Sequence, residues 1–335
     1  IIGSGMSYIN ETDRNQQSNH PINYLQFNSL IQEDKGTLCF YEPSRRYNPE
    51  GVVYTNNYTV IKGYDEHLVG GTASPRVSDD YPIIPWIVSP ASTDDDGWQK
   101  LLFMCFEPGT DRIIRPIYNN TSIDGAASTQ SNAYTWDKNA TIAEDVTVNS
   151  LFLNNSSKGK TLGADRTLTI TSGGLVLHGS SSGFGEEGGA ENGALVLGSA
   201  QHPAYVFARS SNASQPNVLW SPVTAPGGFV ASYCGYLQLG GDQTGIADEI
   251  VINAGTLILG SSTTPCAINP NMEVRLVAGA NLSIPIAGAL NTSTLRLDGH
   301  AGYYGKVNIA EGVEEKVGRI YVRDYPDESE WTSLP

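Results

Sequence analysis

Two short glycine-containing motifs have the residue types of a catalytic or nucleotide-binding loop. Residues 179–183 fit the nucleophile elbow of hydrolases, in which Ser181 would be the nucleophile. That chemistry needs a strand before the serine and a helix after it, whereas glycines and glutamates follow here. The glycines of residues 183–188 also fit a dinucleotide-binding loop, but Glu186 and Glu187 would repel a pyrophosphate. The sequence therefore predicts a plain loop, with no catalytic serine and no cofactor.

Acidic residues beside arginines are the next candidates for chemistry. A sugar-cleaving hydrolase needs two carboxylates that face each other across the substrate, and a lyase needs a base beside a bound cation. Asp165 with Arg166, and Asp298 with Arg296, are the candidates, and the second pair would share one face of a strand. With 20 basic against 35 acidic residues, a basic cleft for an anionic polysaccharide is not expected. We interpret both pairs as salt bridges and expect no catalytic residues.

Metal-binding residues are present but scattered. Asp94, Asp95 and Asp96 precede a glycine and have oxygens suited to calcium, but they lack the spacing of an EF-hand. The histidines show no metal-site spacing; they are His20, His67, His178, His202 and His300. We expect a solvated acidic turn at residues 94–97 and no metal site.

The four cysteines predict disulfides better than they predict zinc. Cys39, Cys105, Cys234 and Cys266 form no CxxC pair. Two lie in the first third of the chain and two in the last, so Cys39 with Cys105 and Cys234 with Cys266 is the simplest of the three connectivities. Four buried thiols are the alternative.

Asn-x-Ser/Thr triplets are frequent, which agrees with an exported protein. They begin at Asn10, Asn57, Asn119, Asn120, Asn139, Asn154, Asn155, Asn212, Asn281 and Asn291. The same residue types also build short turns between strands, which is the alternative interpretation. With the predicted disulfides, the triplets favour an extracellular or cell-surface location and glycosylation at these asparagines.

Composition narrows the fold and the partners. The 335 residues include 36 glycines and 18 prolines, and only 16% are charged, which suits short strands and tight turns and excludes a helical bundle. The net charge of -15 excludes nucleic acid as a partner. No apolar run approaches the about 20 residues of a membrane helix, so we expect no membrane insertion within this segment.

The chain divides near residue 130. The pattern of residues 1–130 predicts a β-rich N-terminal region or cap. In residues 131–335, predicted strands of three or four residues alternate with turns. Residues 168–179 and 250–260 are near copies, with Gly173 and Gly255 at equivalent corners. Because one such rung cannot bury its own apolar edge, rungs must stack. The sequence therefore predicts an all-β right-handed parallel β-helix, a β-solenoid. Antiparallel β-sandwich domains are the alternative, although the hairpin dipeptide Asn-Gly occurs once.

Residues 236–260 resemble the autotransporter-associated β-strand repeat, through Tyr-Leu-Gln-Leu-Gly-Gly-Asp and then Ile-Val-Ile-Asn-Ala-Gly-Thr-Leu-Ile-Leu-Gly. The resemblance runs over residues 110–335 and more weakly over 23–110. It implies a passenger of a bacterial surface protein without catalytic residues. The sequence departs from the family in two ways. Residues 225–236 differ from the turn that often opens the repeat, and four cysteines are unusual in such passengers. These departures put the secretion route in doubt more than the fold.

The expected function is therefore that of a non-enzymatic structural surface protein, a building block of a fibre, a layer or an autotransporter-like passenger. Because solenoid ends expose unpaired strand edges, we expect self-association into a homomeric assembly. One alternative is a glycan-binding adhesin, which would stack surface sugars on aromatic side chains. Its candidates are Tyr54, Tyr58, Tyr64, Tyr81, Trp86, Trp98, Tyr303 and Tyr304. The other alternative is a β-helix polysaccharide lyase or hydrolase.

Overall fold

The computed structural model describes residues 6–10, 24–27, 31–41, 58–61, 82–90, 101–107, 112–114, 123, 132–135, 141–154, 161–189, 192–233, 235–300 and 303–325. Its secondary structure is all-β. Seven strands come first: β1 (Met6–Asn10), β2 (Tyr24–Phe27), β3 (Thr37–Tyr41), β4 (Tyr58–Ile61), β5 (Ile84–Pro90), β6 (Leu101–Glu107) and β7 (Arg112–Ile114). They form one mixed N-terminal sheet in the order β1-β3-β5-β6-β7-β4-β2.

The remaining strands wind into coils. In chain order they are β8 (Asn132–Thr135), β9 (Thr141–Ile142), β10 (Val146–Asn154), β11 (Thr161–Leu162), β12 (Thr167–His178), β13 (Gly183–Phe184), β14 (Ala194–Leu197), β15 (Ala204–Ala208), β16 (Asn217–Leu219), β17 (Val223–Thr224), β18 (Phe229–Ser232), β19 (Tyr236–Leu239), β20 (Gly241–Asp242), β21 (Glu249–Ile252), β22 (Thr256–Leu259), β23 (Cys266–Ala267), β24 (Glu273–Leu276), β25 (Asn281–Ile284), β26 (Thr294–His300), β27 (Lys306–Ile309) and β28 (Arg319–Tyr325).

Two long parallel sheets form two sides of the coils. Sheet A contains β8, the second halves of β10 and β12, and then β15, β18, β21, β24, β26 and β28. Sheet B contains β13, β16, β19, β22, β25 and β27. A third side holds the first halves of β10 and β12 with β14 and β17, and the short pairs β9 with β11 and β20 with β23.

Each coil lies in register on the one before it. Phe229, Ile250, Val274, Leu295 and Ile320 are successive partners on sheet A, so each of these later coils takes 21 to 25 residues. Earlier coils vary more: the step from Ala133 to Leu151 takes 18 residues, and the step from Leu175 to Val206 takes 31. All described strand pairs from β8 onward are parallel, which a chain of hairpins cannot produce. This arrangement confirms the predicted parallel β-helix and excludes the antiparallel sandwich for this part of the chain.

The corner glycines are required by close backbone approach. Gly173 and Gly255 have φ values of 77° and 80°, in the left-handed region that favours glycine. A Cβ atom on Gly255 would lie 2.5 Å from the carbonyl oxygen of Gly235, and one on Gly173 would lie 2.5 Å from that of Pro203. The corner motif of the two near copies therefore acts as the sequence predicts.

The interior is a single apolar column. On sheet B every second residue is buried, as in β19, β22 and β25, and the residues between them are half-buried and face solvent. Leu237, Leu257 and Leu282 form one inward row of this sheet. Dispersion contacts along such rows, together with exclusion of water, stabilise each coil against its neighbours.

The earlier strands of sheet A are buried on both faces, because the N-terminal sheet covers their outer side. The outward residues Phe152, Val176, Phe207, Val230 and Val251 belong to a second apolar cluster. Tyr205, Tyr233 and Val277 of the coils also belong to it, and the remaining members come from the N-terminal region, among them Leu38, Ile83, Ile87, Phe103 and Met104. The N-terminal sheet thus packs along the side of the β-helix.

Truncating Phe207 should damage this second cluster. Phe207 is fully buried and its ring meets that of Phe103 edge to face, with centroids 5.8 Å apart. We expect Phe207→Ala to lower the free energy of unfolding by about 3–5 kcal/mol in chemical denaturation. Ser283→Ala, at an outward position of sheet B, should change it by less than about 0.5 kcal/mol. Equal effects would contradict the lateral packing.

Candidate functional site

The predicted pair Arg296 and Asp298 lies in a buried charged cluster on the outer side of sheet A. Arg296 Nε lies 2.8 Å from Asp298 Oδ1, and Arg275 Nε lies 2.5 Å from Asp298 Oδ2. The Asp298 side chain is only 1% exposed. Both carboxylate oxygens therefore already bind an arginine, and the group is closed to a sugar substrate.

The same cluster reaches the N-terminal region. Arg275 donates to the carbonyl oxygen of Asp34 at 3.3 Å and to its carboxylate at 3.4 Å. Arg296 Nη1 lies 3.4 Å from Glu273 Oε1. Because removing one partner of a buried ion pair leaves an uncompensated charge, this arrangement fixes the geometry between the two regions. The predicted salt bridge forms, and its role is to connect regions of the fold.

Polar contacts continue from this cluster along residues 32–37. Lys35 Nζ lies 2.6 Å from Asp248 Oδ2 and 2.9 Å from Glu249 Oε1. Thr37 Oγ1 and Ser232 Oγ are 2.6 Å apart in a buried contact. Gln32 donates to the hydroxyl of Tyr205, whose pKa is raised to about 12, chiefly by burial. One short segment is thus held at several successive coils of sheet A.

The register explains why the sequence did not reveal Arg275. Val230, Val251, Arg275, Arg296 and Tyr321 occupy successive outward positions of sheet A. The row changes from apolar to charged where the apolar cover ends. The change is visible in the sequence, but it can be assigned to one outward row only when the strand register is known.

The other candidates for chemistry lie on turns. Asp165 and Arg166 are exposed in the turn between β11 and β12. Ser181 is half-buried at the corner after β12, with a φ of 59°, and strand β13 follows it where a nucleophile elbow needs a helix. The hydrolase motif therefore has no structural support, and residues 185–189 form the predicted loop.

The glycine-rich loop forms a side-chain contact with a distant turn that its sequence motifs do not predict. Glu187 accepts hydrogen bonds from the hydroxyls of Ser261 and, at 2.7 Å, Thr263, more than 70 residues away. These two bonds, that of Ser261 first, lower the pKa of Glu187 against the opposing effect of partial burial. The loop is thereby fastened along the outside of the coils.

The cysteines do not form the predicted local bridge in the N-terminal region. Cys105 is a free, buried thiol on β6, and burial raises its pKa. Cys39 lies on β3, and β5 pairs with both strands and so lies between them. Two strand spacings of about 4.8 Å each exceed the reach of a disulfide. The predicted Cys39–Cys105 bridge is therefore wrong.

For the second predicted bridge, Cys234 lies outside the described residues. Cys266 is a free thiol on β23, and its pKa is raised to about 12, by burial first and then by the charge of Asp242. Neither Cys105 nor Cys266 has the character of a reactive thiolate.

The asparagines of the predicted glycosylation triplets are distributed over several settings. Asn212 and Asn291 are exposed on turns, Asn154 and Asn281 are half-buried at strand positions, and Asn10 lies on β1. The others lie outside the described residues; they are Asn57, Asn119, Asn120, Asn139 and Asn155. The side chain of Asn212 accepts from the backbone N–H and hydroxyl of Ser214, which is turn chemistry. Glycosylation stays a prediction.

Most of the candidate metal ligands and sugar-binding aromatics cannot be placed, and those in the described ranges lie on different elements. Asp94, Asp95, Asp96, His20, His67, Tyr54, Tyr64, Tyr81 and Trp98 lie outside the described residues. Tyr58 is on β4, Trp86 is buried, Tyr303 is 75% exposed, Tyr304 is half-buried, and the remaining histidines are on β12, a turn and β26. In the described ranges, no group of three or more His, Cys, Asp or Glu is placed to hold a metal. The same ranges contain no helix long and apolar enough to cross a membrane.

Five of the six exposed large hydrophobic side chains in the described part lie in the last coil. Ile320 and Val322 continue the inward rows of sheet A, and Ile309 continues an inward row of sheet B. Ile320 and Ile309 are 60% and 45% exposed, whereas their partners one coil earlier, Leu295 and Ile284, are almost fully buried. Val322 is 63% exposed, and its partner Leu297 is half-buried. β28 and β27 are also the edge strands of their sheets. We call this surface, formed by β27 and β28, the open end.

A carboxylate fixes the loop that joins the two edge strands. Glu315 lies between β27 and β28 and accepts hydrogen bonds from four consecutive backbone N–H groups of the preceding coil, residues 288–291, at 2.8 to 3.3 Å. Convergent backbone N–H groups form a strong anion-binding arrangement. The open end is therefore held in a defined geometry, and this device has no motif by which the sequence could reveal it.

Comparison with known proteins adds no family to this description. The chain matches no protein-family model, no curated protein and no solved structure.

Removing the charge of Asp298 should loosen the attachment of the N-terminal sheet. Asp298→Asn leaves Arg275 and Arg296 without their shared anion, so we expect a loss of about 3 kcal/mol in the free energy of unfolding. Glu273→Gln removes one partly exposed contact of Arg296 and should cost less than about 1 kcal/mol. Chemical denaturation measures both, and a similar loss for the two variants would contradict the assigned role of Asp298.

The contact of Glu187 should depend on pH and on two hydroxyls. Because the folded-state pKa of Glu187 lies below its ordinary value, the contact stabilises the fold above that value and is lost as the pH falls through the lowered pKa. In a carbon-13 NMR titration, Ser261→Ala with Thr263→Ala should raise the Glu187 pKa toward its ordinary value. Ser262→Ala is the control and should leave it unchanged; a rise there, or none in the double variant, would overturn the assignment.

Proposed function

We propose that the protein is a non-enzymatic structural β-solenoid of the extracellular or cell-surface kind, and that it self-associates through its open end. The observation that carries this proposal is the exposure of Ile309, Ile320 and Val322, which are core side chains by position. Apolar side chains at the edge of a parallel sheet, beside unpaired backbone groups, favour the addition of another strand layer.

A second copy is the occupant that fits the charge of this surface. The whole chain carries -15, so two copies repel each other at most orientations. Residues 303–325, which end with β28, carry four basic residues, Lys306, Lys316, Arg319 and Arg323, and four acidic ones, Glu311, Glu314, Glu315 and Asp324. The last coil is thus a region of mixed charge where like molecules can approach.

The charged groups that a sugar-cleaving enzyme would use support a structural role instead. Asp298, which has the closest arginines, is enclosed between Arg275 and Arg296. Asp165 and Arg166 occupy an exposed turn on the third side of the coils. A catalytic pair needs access and a cleft, so neither arrangement favours glycoside hydrolysis.

Placing a charge in the open end should abolish assembly. Ile309→Asp would bury an unpaired carboxylate on association, so we expect self-association to weaken by at least about tenfold. Asn308→Asp is the matched control, because Asn308 is the exposed neighbour on the same strand and points outward from sheet B. Light scattering after size exclusion measures both variants and the parent protein. A parent protein that is monomeric at all concentrations would contradict the proposal.

A further inference from the structure

Four consecutive backbone N–H groups converge on one carboxylate in the turn between β25 and β26. Gly288 and Ala289 donate to Oε2 of Glu315, at 2.8 and 3.2 Å. Leu290 and Asn291 donate to Oε1 of the same residue, at 2.9 and 3.3 Å. Because each carboxylate oxygen accepts from two N–H groups, this turn has the form of a nest, a concave row of backbone donors that binds anions.

Contacts that do not involve Glu315 hold the turn in place. The side chains of Ala289 and Leu290 are buried in the interior apolar cluster. Ser293 is also fully buried; its N–H donates to the carbonyl oxygen of Leu290 at 2.7 Å, and its hydroxyl donates to that of Asn269, one coil earlier, at 3.3 Å. Since these contacts fix the backbone, the four N–H groups should still converge when no carboxylate is bound to them.

The nest lies at the surface, where a small anion can reach it. Gly288 and Asn291 are exposed, and Glu315 is half-buried. A Cβ atom added to Gly288 would meet no heavy atom beyond its chain neighbours within 4 Å, so the space beside this end of the nest is open. The buried residues Ala289 and Leu290 have N–H groups that lose their acceptor if the carboxylate leaves, and such an unmade hydrogen bond is costly. An anion that replaces the carboxylate should therefore bind.

We infer that residues 288–291 form a carboxylate-binding site in their own right, and that Glu315 is its internal ligand. This inference goes beyond the proposed function and does not depend on self-association. The class of ligand follows from the arrangement of the donors, since two pairs of N–H groups match the two oxygens of a planar carboxylate. Glu315 is tethered beside the nest at a high effective concentration, so a carboxylate from another molecule binds only where Glu315 is absent.

Removing the internal ligand should open the site to a free carboxylate. We expect Glu315→Ala to lower the midpoint of chemical denaturation, and sodium acetate to raise it again in a saturable way, because a ligand of the folded state stabilises that state. Sodium chloride at the same ionic strength and neutral acetamide should not restore the midpoint. Glu314→Ala is the matched control, because Glu314 is the exposed neighbour of Glu315 in the same loop. Its midpoint, like that of the parent protein, should respond equally to acetate and to chloride.

Amide NMR of the full chain locates the bound acetate. In Glu315→Ala, acetate should shift the N–H resonances of residues 288–291 and leave that of Gly279, in the turn between β24 and β25, unchanged. Glu315→Gln keeps the length of the side chain but loses its charge, so acetate should displace the amide and give the same shifts even if the alanine variant does not fold. An acetate effect no larger than that of chloride, an unchanged midpoint in Glu315→Ala, or shifts confined to residues outside the nest would each overturn the inference.

Discussion

The structure depends on one constraint, that a coil of three-residue strands cannot cover its own inward side chains. One row of sheet A illustrates this: Ile250, Val274 and Leu295 each lie between two members of the row and are buried, whereas Ile320, at the end of the row, is exposed. The backbone is subject to the same constraint, because each strand forms its hydrogen bonds with strands of the neighbouring coils. Stability is therefore a sum of nearest-neighbour contacts, and the last member of every row lacks one of them.

A second constraint is the environment of the outer face, which differs between the two long sheets. Sheet B faces solvent, so its strands alternate between apolar and polar residues, as in Asn281, Leu282 and Ser283. Sheet A is covered by the N-terminal sheet, so strand β15 reads as a continuous apolar run. At Arg275 the row becomes charged, and ion pairs replace apolar packing as the means by which the segment around Asp34 is held.

These constraints explain what the sequence could predict. Local patterns repeat at each coil, so the strands, the glycine corners and the stacking could be inferred from the near copies at residues 168–179 and 250–260. Contacts between Lys35 and Asp248, or Arg275 and Asp34, join residues more than 200 positions apart. No local pattern encodes such contacts. The error over Cys39 and Cys105 has the same origin, because nearness in sequence suggested a bridge that an intervening strand prevents.

The distribution of polar groups also bears on function. In an enzyme, titratable side chains converge on an accessible cavity, and their pKa values are shifted there by burial and by neighbouring charges. Here the ionisable clusters fasten one region to another: Asp298 to the N-terminal segment, Glu187 to a distant turn, and Glu315 to the preceding coil. Each is already satisfied by groups of the chain itself. In the part of the chain that the structure describes, the core side chains left exposed are Ile309, Ile320 and Val322, on the edge strands β27 and β28. The described ionisable clusters thus hold parts of the fold together, and this distribution supports the proposed role of the open end as the surface that binds another copy.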